Sequence, residues 1–160
     1  MQACSRPGRK RLFFGFVAFL FVAGFDRRDG PFLHLDGRLF AAGLEQVIDY
    51  IQKLHFSEDD LDYLRSKGGF DEGFLDYLRH FRFTGDIWAV PEGTPIFPGE
   101  PFMTVRAPAV QAQFIETFLL LTLNHQSLIA TKSNRIVRAA AGRPVAEFGS
   151  RRAQGAEAAI

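Results

Sequence analysis

The fold is decided by residues 85–107, GDIWAVPEGTPIFPGEPFMTVRA, in which two segments of strand-forming residues flank a stretch dense in proline and glycine. Residues 85–90 and 102–107 alternate in polarity or carry β-formers, which is typical of strands. Pro95, Pro98 and Pro101 lack an N–H group for a ladder, so any strand around residues 96–97 is short or lies at an edge. The segment therefore predicts a small twisted sheet built from hairpins.

Three helices are predicted on the N-terminal side of this sheet. Apolar residues recur at helical spacing over residues 42–54, which predicts an amphipathic helix. Residues 56–65 (FSEDDLDYLR) and 70–79 (FDEGFLDYLR) form an imperfect repeat. In each copy a phenylalanine is followed by a Ser or Asp and then by acidic residues in the next turn. This is the pattern of a capped helix start. With only two copies, convergence on one capping chemistry is favoured over a solenoid.

Helical periodicity returns after the sheet. It predicts one helix over residues 110–124 and a second over residues 127–140, so that His125 lies between them. A lone histidine in that position is more typical of capping or packing than of a ligand. Residues 145–148 then predict a strand that leads into a turn at Gly149.

Residues 147–155 have a composition that suits a flat, anionic ligand. Phe148 can stack on a planar heterocycle, and Arg151 and Arg152 can bind phosphate or carboxylate oxygens bidentately. Gly149 lets the backbone turn sharply beside a ligand. The alternative is a strand end with Phe148 buried in a core and both arginines solvated. Residue types alone favour that alternative, because short motifs often occur by chance.

The composition excludes several classes of function. A chain of 160 residues with 47% hydrophobic and 23% charged residues is globular, and its net charge of +1 argues against a nucleic-acid partner. The single cysteine, Cys4, excludes an intramolecular disulfide. The four histidines show no metal-ligand spacing, and the paired acids at residues 59–60 and 71–72 are explained as helix-start charges. We therefore assign no metal site, and the catalytic residues stay unknown.

An apolar run near the N-terminus allows several interpretations. Residues 13–25 (FFGFVAFLFVAGF) are uncharged and follow a basic cluster, the layout of a signal peptide or anchor. The run is shorter than the roughly 20 residues that span a membrane. A buried strand or hairpin is the favoured alternative, with glycines as punctuation. A third interpretation is that this stretch is not the native N-terminus of its family.

Four stretches together resemble nicotinate phosphoribosyltransferase. They are AGLEQVIDY at 42–50, FTGDIWAVPEGT at 83–94, NHQSLIATK at 124–132 and EFGSRRAQG at 147–155. The match runs in order over about residues 39–160. It changes the favoured interpretation of the arginine motif from structural to functional.

The resemblance implies a function, a fold and roles for three residues. The family joins nicotinate to phosphoribosyl pyrophosphate in the salvage route to NAD, usually with ATP hydrolysis and Mg, in the cytoplasm. Its fold class is α+β, a type II phosphoribosyltransferase in which an N-terminal α/β domain packs on an irregular α/β barrel, and active sites form across a homodimer. Phe148 would stack on the pyridine ring, and Arg151 and Arg152 would bind phosphate or carboxylate oxygens.

We therefore expect three regions: a divergent phenylalanine-rich segment over residues 1–38, an N-terminal phosphoribosyltransferase domain over 39–143, and the first barrel strand over 144–160. A full barrel takes about 250 residues, so we expect this chain to be an inactive fragment of the enzyme. No covalently bound cofactor, nucleic-acid partner or membrane partner is expected. The alternative is a stand-alone α+β binding module, membrane-associated through residues 13–25.

Overall fold

A computed structural model describes residues 39–97 and 99–153, and the backbone of residues 15–20. The strands are β1 (Gly15–Leu20), β2 (Leu39–Phe40), β3 (Asp86–Ala89), β4 (Pro95–Ile96) and β5 (Met103–Pro108). The helices are α1 (Leu44–Lys53), α2 (Glu58–Lys67), α3 (Glu72–Arg79) and α4 (Ala109–Ala140), followed by a 3-10 turn at Ser150–Arg152. This mixture of helices and small sheets agrees with the predicted α+β class.

The strands form two antiparallel sheets. One has the order β1-β5-β3, and the other pairs β2 with β4. The hairpin predicted from residues 85–107 is confirmed, since Ile87 pairs with Val105 and Trp88 with Thr104. The strand between the prolines is short, as expected, because β4 contains only Pro95 and Ile96.

The apolar run near the N-terminus contributes strand β1. Residues 15–20 pair antiparallel with β5, so that Gly15 lies opposite Pro108 and Leu20 opposite Met103. This confirms the strand interpretation for these six residues, while residues 13–14 and 21–25 lie outside the described part of the chain. Within the described residues, no helix is both long and apolar enough to cross a membrane.

The two copies of the repeat form the predicted pair of capped helices. Ser57 accepts a hydrogen bond from the Asp60 N–H, and the Asp60 carboxylate accepts one from the Ser57 N–H, which completes a capping box. Asp71 caps α3 in the same position by accepting from the Phe74 N–H at 2.8 Å. The capping prediction is therefore confirmed at both helix starts.

Helix α4 corrects the sequence-based prediction of two helices. It runs without a break through 32 residues, so His125 lies within a helix and not between two. The reason is the buried face: Leu119, Leu123, Ser127 and Thr131 recur every fourth residue and keep one side of the helix on the core. The polar residues 124–126 lie between these positions and do not interrupt them.

The core has two parts. The larger part packs the inner faces of β2, β4 and β5 against α1 and α4, with Val47, Val105 and Leu119 among its buried residues. The smaller part lies under α2 and α3 and is formed by Leu61, Leu75 and Leu78, with Phe114 of α4 packed against it. Helix α4 therefore contacts both parts of the core.

Candidate functional site

The candidate ligand-binding segment follows the end of α4. Ala141 adopts a left-handed conformation with φ of 50°, and its N–H donates to the Arg138 carbonyl at 3.2 Å. Gly142 follows with φ of 83°, a conformation that favours glycine. These two residues end the helix and start the irregular segment that leads to residues 147–153.

The predicted strand over residues 145–148 is wrong. These residues have no regular secondary structure, and Val145 is 50% exposed. A strand needs a neighbour to satisfy its N–H and C=O groups, and no segment among residues 39–97 and 99–153 pairs with this one. The expectation that residues 144–160 begin a barrel is not tested by this structure.

Phe148 and the two arginines all lie on the surface. Phe148 is 82% exposed, which makes it the most exposed of the large hydrophobic residues in the described part of the chain. The alternative in which Phe148 is buried in a core is therefore wrong. Arg151 and Arg152, which belong to the 3-10 turn, are exposed as well. The part of that alternative in which both arginines are solvated therefore agrees with the structure.

The turn itself is held by local hydrogen bonds. The Arg152 N–H donates to the Gly149 carbonyl at 2.8 Å, and the Ala153 N–H donates to the Ser150 carbonyl at 3.0 Å. Gly149 has φ of −83°, a conformation open to any residue, so the turn does not require glycine for its backbone angle. Its N–H instead donates to the Glu147 carboxylate, which lies where a Cβ at residue 149 would project.

This arrangement presents one aromatic ring and two guanidinium groups to solvent within five residues of sequence. An exposed ring offers a face for stacking, and guanidinium groups offer paired donors for phosphate or carboxylate oxygens. Within the described part of the chain, no other aromatic ring stacks on Phe148. The segment can therefore supply one side of a binding site for a planar anion.

The other three stretches that resemble the family, residues 42–50, 83–94 and 124–132, meet at one structural joint that does not include Phe148. The Gly43 and Leu44 N–H groups donate to Glu92 Oε1 at 2.7 and 2.6 Å. Glu92 thus satisfies the start of α1, where Gly43 has no side chain to act as a cap. Because the carboxylate is negative, it also suits the positive end of the helix dipole.

Two buried hydroxyl groups of α4 complete this joint. Thr131 Oγ1 accepts from the Phe40 N–H at 2.9 Å and donates to the Ser127 carbonyl at 2.6 Å. Ser127 Oγ accepts from the Ala42 N–H at 3.2 Å. Residues 39–44 are therefore tied both to the β3–β4 loop and to α4.

Gly43 fits this joint for steric reasons. Its φ is 99°, and a Cβ there would lie 3.1 Å from the Gln126 side chain. A side chain at residue 43 would therefore be strained by its backbone and crowded by α4. The stretches at 42–50, 83–94 and 124–132 thus meet in a scaffold that the sequence pattern did not identify as one unit.

Sequence reasoning also missed a groove between α1 and α4. It has a volume of about 780 Å³, and His125 lies in its wall. Tyr50 and Phe118 stack in it with ring centroids 3.8 Å apart, and burial raises the pKa of Tyr50. The lining residues recur at helical spacing in both segments, so the sequence does indicate the two helix faces. It does not indicate that the two helices are neighbours, and without that the groove cannot be predicted.

The described residues show no group of three or more His, Cys, Asp or Glu side chains that could hold a metal ion. Asp59–Asp60 and Asp71–Glu72 lie at the starts of α2 and α3, as expected for helix-start charges.

The fold agrees with that of a solved enzyme. The crystal structure of human nicotinic acid phosphoribosyltransferase matches this chain with a TM-score of 0.65 and 32% sequence identity, over 76% of this chain and 25% of that one. The architecture is therefore that of the N-terminal, mixed helix and sheet part of a phosphoribosyltransferase.

Sequence comparisons specify the family. Residues 23–124 match the family model described as nicotinate phosphoribosyltransferase (NAPRTase) N-terminal domain. Nicotinate phosphoribosyltransferase pncB2 of Mycobacterium tuberculosis is 50% identical over 121 residues, which are 76% of this chain and 26% of that protein. Nicotinate phosphoribosyltransferase of Bacillus subtilis is 44% identical over 125 residues, 78% of this chain and 26% of that protein. The chain belongs to the nicotinate phosphoribosyltransferase family.

Two limits of the match bear on the site. The chain spans about a quarter of the length of the curated relatives it matches. The family model matches from residue 23, so the resemblance begins earlier than the expected residue 39, and residues 23–38 belong to it. The model ends at Asn124, before Phe148, Arg151 and Arg152. The comparisons give no support to a stand-alone binding module.

Proposed function

We propose that this chain supplies the N-terminal domain and one wall of the substrate site to a nicotinate phosphoribosyltransferase. The reaction joins the pyridine nitrogen of nicotinate to the ribose carbon of phosphoribosyl pyrophosphate, while the bond from that carbon to pyrophosphate breaks. The observation that carries the proposal is the exposure of Phe148, Arg151 and Arg152 together on one short turn. Family membership supports the choice of substrates.

Each of the three residues has a role that its chemistry fits. Phe148 stacks on the planar pyridine ring of nicotinate, and the 82% of its surface that is free makes this contact possible. Arg151 and Arg152 bind the phosphate or carboxylate oxygens of the substrates. When the bond breaks, pyrophosphate takes the bonding electron pair and the ribose carbon becomes positively charged. Cationic stabilisation of the leaving group and fixed geometry therefore provide the rate enhancement.

The remaining expectations belong to the whole enzyme. We propose that ATP and Mg act as co-substrates, that the working form is a cytoplasmic homodimer, and that residues 144–160 lead into the catalytic barrel. Their support is the resemblance to the family. We attribute Mg binding to the phosphates of the substrates and to the rest of the enzyme.

We further propose that the 160-residue polypeptide does not catalyse the reaction by itself. Phe148 is 82% exposed, so stacking on its ring would cover one face of the pyridine only. Incubation with nicotinate, phosphoribosyl pyrophosphate and ATP should give no nicotinate mononucleotide above background. Appreciable product would contradict this part of the proposal.

A chimera tests the roles of the three residues. Residues 1–155 of this chain are joined to the corresponding remainder of the Bacillus subtilis relative, and steady-state kinetics are measured. Phe148→Ala should raise the KM for nicotinate, and Arg151→Lys with Arg152→Lys should raise the KM for phosphoribosyl pyrophosphate. The control is Val145→Ala, which alters an exposed neighbour that the proposal does not use. Kinetics that Phe148→Ala leaves unchanged would contradict the proposed stacking.

A further inference from the structure

The space beside Gly149 is taken up by one side chain, that of Glu147. A Cβ at residue 149 would collide with Glu147 Oε1 and would lie 3.3 Å from Glu147 Cδ. Apart from the two adjacent residues, no other part of the described chain approaches that point as closely as the Glu147 side chain. Because the backbone angles of Gly149 are those of an ordinary turn, the Glu147 carboxylate is the reason that this position suits glycine.

The same carboxylate holds the backbone at the start of the 3-10 turn. It accepts the hydrogen bond from the Gly149 N–H, two residues along the chain. The Gly149 carbonyl in turn accepts from the Arg152 N–H at 2.8 Å. Since the bond from Glu147 spans Phe148, it fixes the backbone that carries the aromatic ring relative to the turn that carries the arginines.

This bond also determines where the nearest negative charge lies. Glu147 is four residues from Arg151 and five from Arg152, and a carboxylate so near could pair with either guanidinium group. In the part of the chain that the structure describes, neither arginine side chain makes a hydrogen bond or an ion pair. An anionic ligand would therefore meet both guanidinium groups without a competing carboxylate on them.

All of these contacts lie within residues 147–152. They are formed by groups at most a few residues apart in the chain. They therefore need no contact with the parts of the relatives that the match leaves uncovered.

We propose that Glu147 is a positioning residue of the substrate site, which holds the Gly149 N–H so that the turn presents Phe148, Arg151 and Arg152 together. The inference rests on the proposed function for the roles of those three residues. Glu147 acts through them and does not itself contact the substrate. Gly149 belongs to the same device, because a side chain there would displace the carboxylate.

Amide NMR on the full 160-residue chain tests the bond without any substrate. Glu147→Ala removes the acceptor and should accelerate hydrogen exchange of the Gly149 amide by at least about threefold. Glu147→Gln keeps an oxygen in the same place and should preserve the slower exchange. The control is Glu116→Ala, which removes an exposed carboxylate of α4 and should leave the Gly149 amide unchanged. Equal exchange with and without the Glu147 carboxylate would overturn the proposal.

Steady-state kinetics of the chimera with the Bacillus subtilis relative test the role in the site. Glu147→Ala should raise the KM for phosphoribosyl pyrophosphate by about three- to tenfold, and Glu147→Gln should keep it within about twofold of the unsubstituted chimera. Gly149→Ala should cost as much as Glu147→Ala, since it displaces the same carboxylate. In the double variant the two effects should not add, because the new methyl group then meets no carboxylate.

The outcomes separate this inference from the proposed function. An unchanged KM in Glu147→Ala, a loss in Glu147→Gln as large as in Glu147→Ala, or additive effects in the double variant would overturn the positioning role while the effects of Phe148→Ala and of the arginine substitutions stand. If those substitutions change nothing, the proposed function fails and the positioning role falls with it, even where the NMR result shows the bond.

Discussion

Arg79 at the end of α3 reaches back to Glu58 at the start of α2, with Nε to Oε1 at 2.9 Å and Nη2 to Oε2 at 3.2 Å. The equivalent residues of the first repeat make the reciprocal contact, because Arg65 donates to both Glu72 oxygens at 2.9 and 3.1 Å. The imperfect repeat therefore forms a helical hairpin with approximate twofold symmetry. The two copies are offset by 14 residues, and in the hairpin each arginine lies opposite the glutamate of the other copy.

The first prediction concerns the acid stability of this hairpin. Hydrogen bonds from Arg79 and Arg65 lower the pKa values of Glu58 and Glu72 below their ordinary value of 4.5. A depressed pKa in the folded state stabilises the fold above the ordinary value, and this contribution is lost as the pH falls through the lower, folded-state value. The stability of the chain should therefore decline on acidification below about pH 4.5.

Urea unfolding as a function of pH checks this prediction. Replacing both glutamates by glutamine should make the dependence of stability on pH shallower in that acidic range. The effect should be small and weaken with added salt, because all four side chains are exposed. Glu45→Gln on α1 is the control and should leave the slope unchanged. An unaltered slope in the double variant would show that the pairs do not contribute.

The second prediction concerns Glu92, which caps α1 from another part of the chain. Glu92→Gln keeps the shape of the side chain but removes the charge that both N–H groups at the helix start face. The expected loss of stability is about 0.3–1 kcal/mol, the usual range for a favourable charge at the end of a helix. Thermal or urea unfolding measures it. Glu100→Gln, which removes a charge that faces the single N–H group of Phe97, should cost less; an equal cost would refute the capping role.

The third prediction concerns the hydroxyl of Thr131, which is 3% exposed. Thr131→Val preserves the shape of the side chain but leaves the Phe40 N–H without its acceptor. A buried donor left without a partner costs about 1–3 kcal/mol. The exposed residue Thr117 on the same helix provides the control, since Thr117→Val should change the free energy of unfolding little. Hydrogen exchange at the Phe40 amide should also accelerate in the Thr131 variant only.

The fourth prediction concerns Gly85, where two parts of the backbone approach closely. A Cβ there would lie 2.6 Å from Ala107 Cβ and 2.7 Å from the Arg106 carbonyl oxygen. Gly85→Ala should therefore destabilise the chain by about 1–3 kcal/mol through overpacking of the β3–β5 hairpin. Gly73→Ala, on the exposed side of α3, should be neutral or slightly stabilising. Unfolding midpoints that rank the two variants the other way would contradict this account.

Local chemistry made much of the fold predictable. The caps at Ser57 and Asp71 follow from the residue types at helix starts, and the hairpin follows from strand-forming residues around a proline-rich turn. The continuity of α4 was harder to predict, because the polar residues 124–126 resemble a helix break. Only the buried face that continues through Ser127 and Thr131 shows that the helix does not end there.

Contacts between distant residues account for what the sequence did not reveal. The bond from the Phe40 N–H to Thr131 spans 91 residues, and the bond from the Gly43 N–H to Glu92 spans 49. No local pattern reports such a pairing. The predicted strand at 145–148 was wrong for a related reason, since a strand also depends on a neighbour that local sequence does not identify. The exposure of Phe148 likewise could not be derived from its residue type.

The joint formed by Gly43, Glu92, Ser127 and Thr131 holds the architecture together but contains none of the residues proposed to bind substrate. Three of the four stretches that resemble the family converge there, and Phe148, Arg151 and Arg152 take no part in it. A descendant that lost Phe148, Arg151 and Arg152 would keep the joint and, with it, the architecture of the domain. Such a protein would have the fold of the family without the proposed substrate-binding turn, and its surface could acquire a different function.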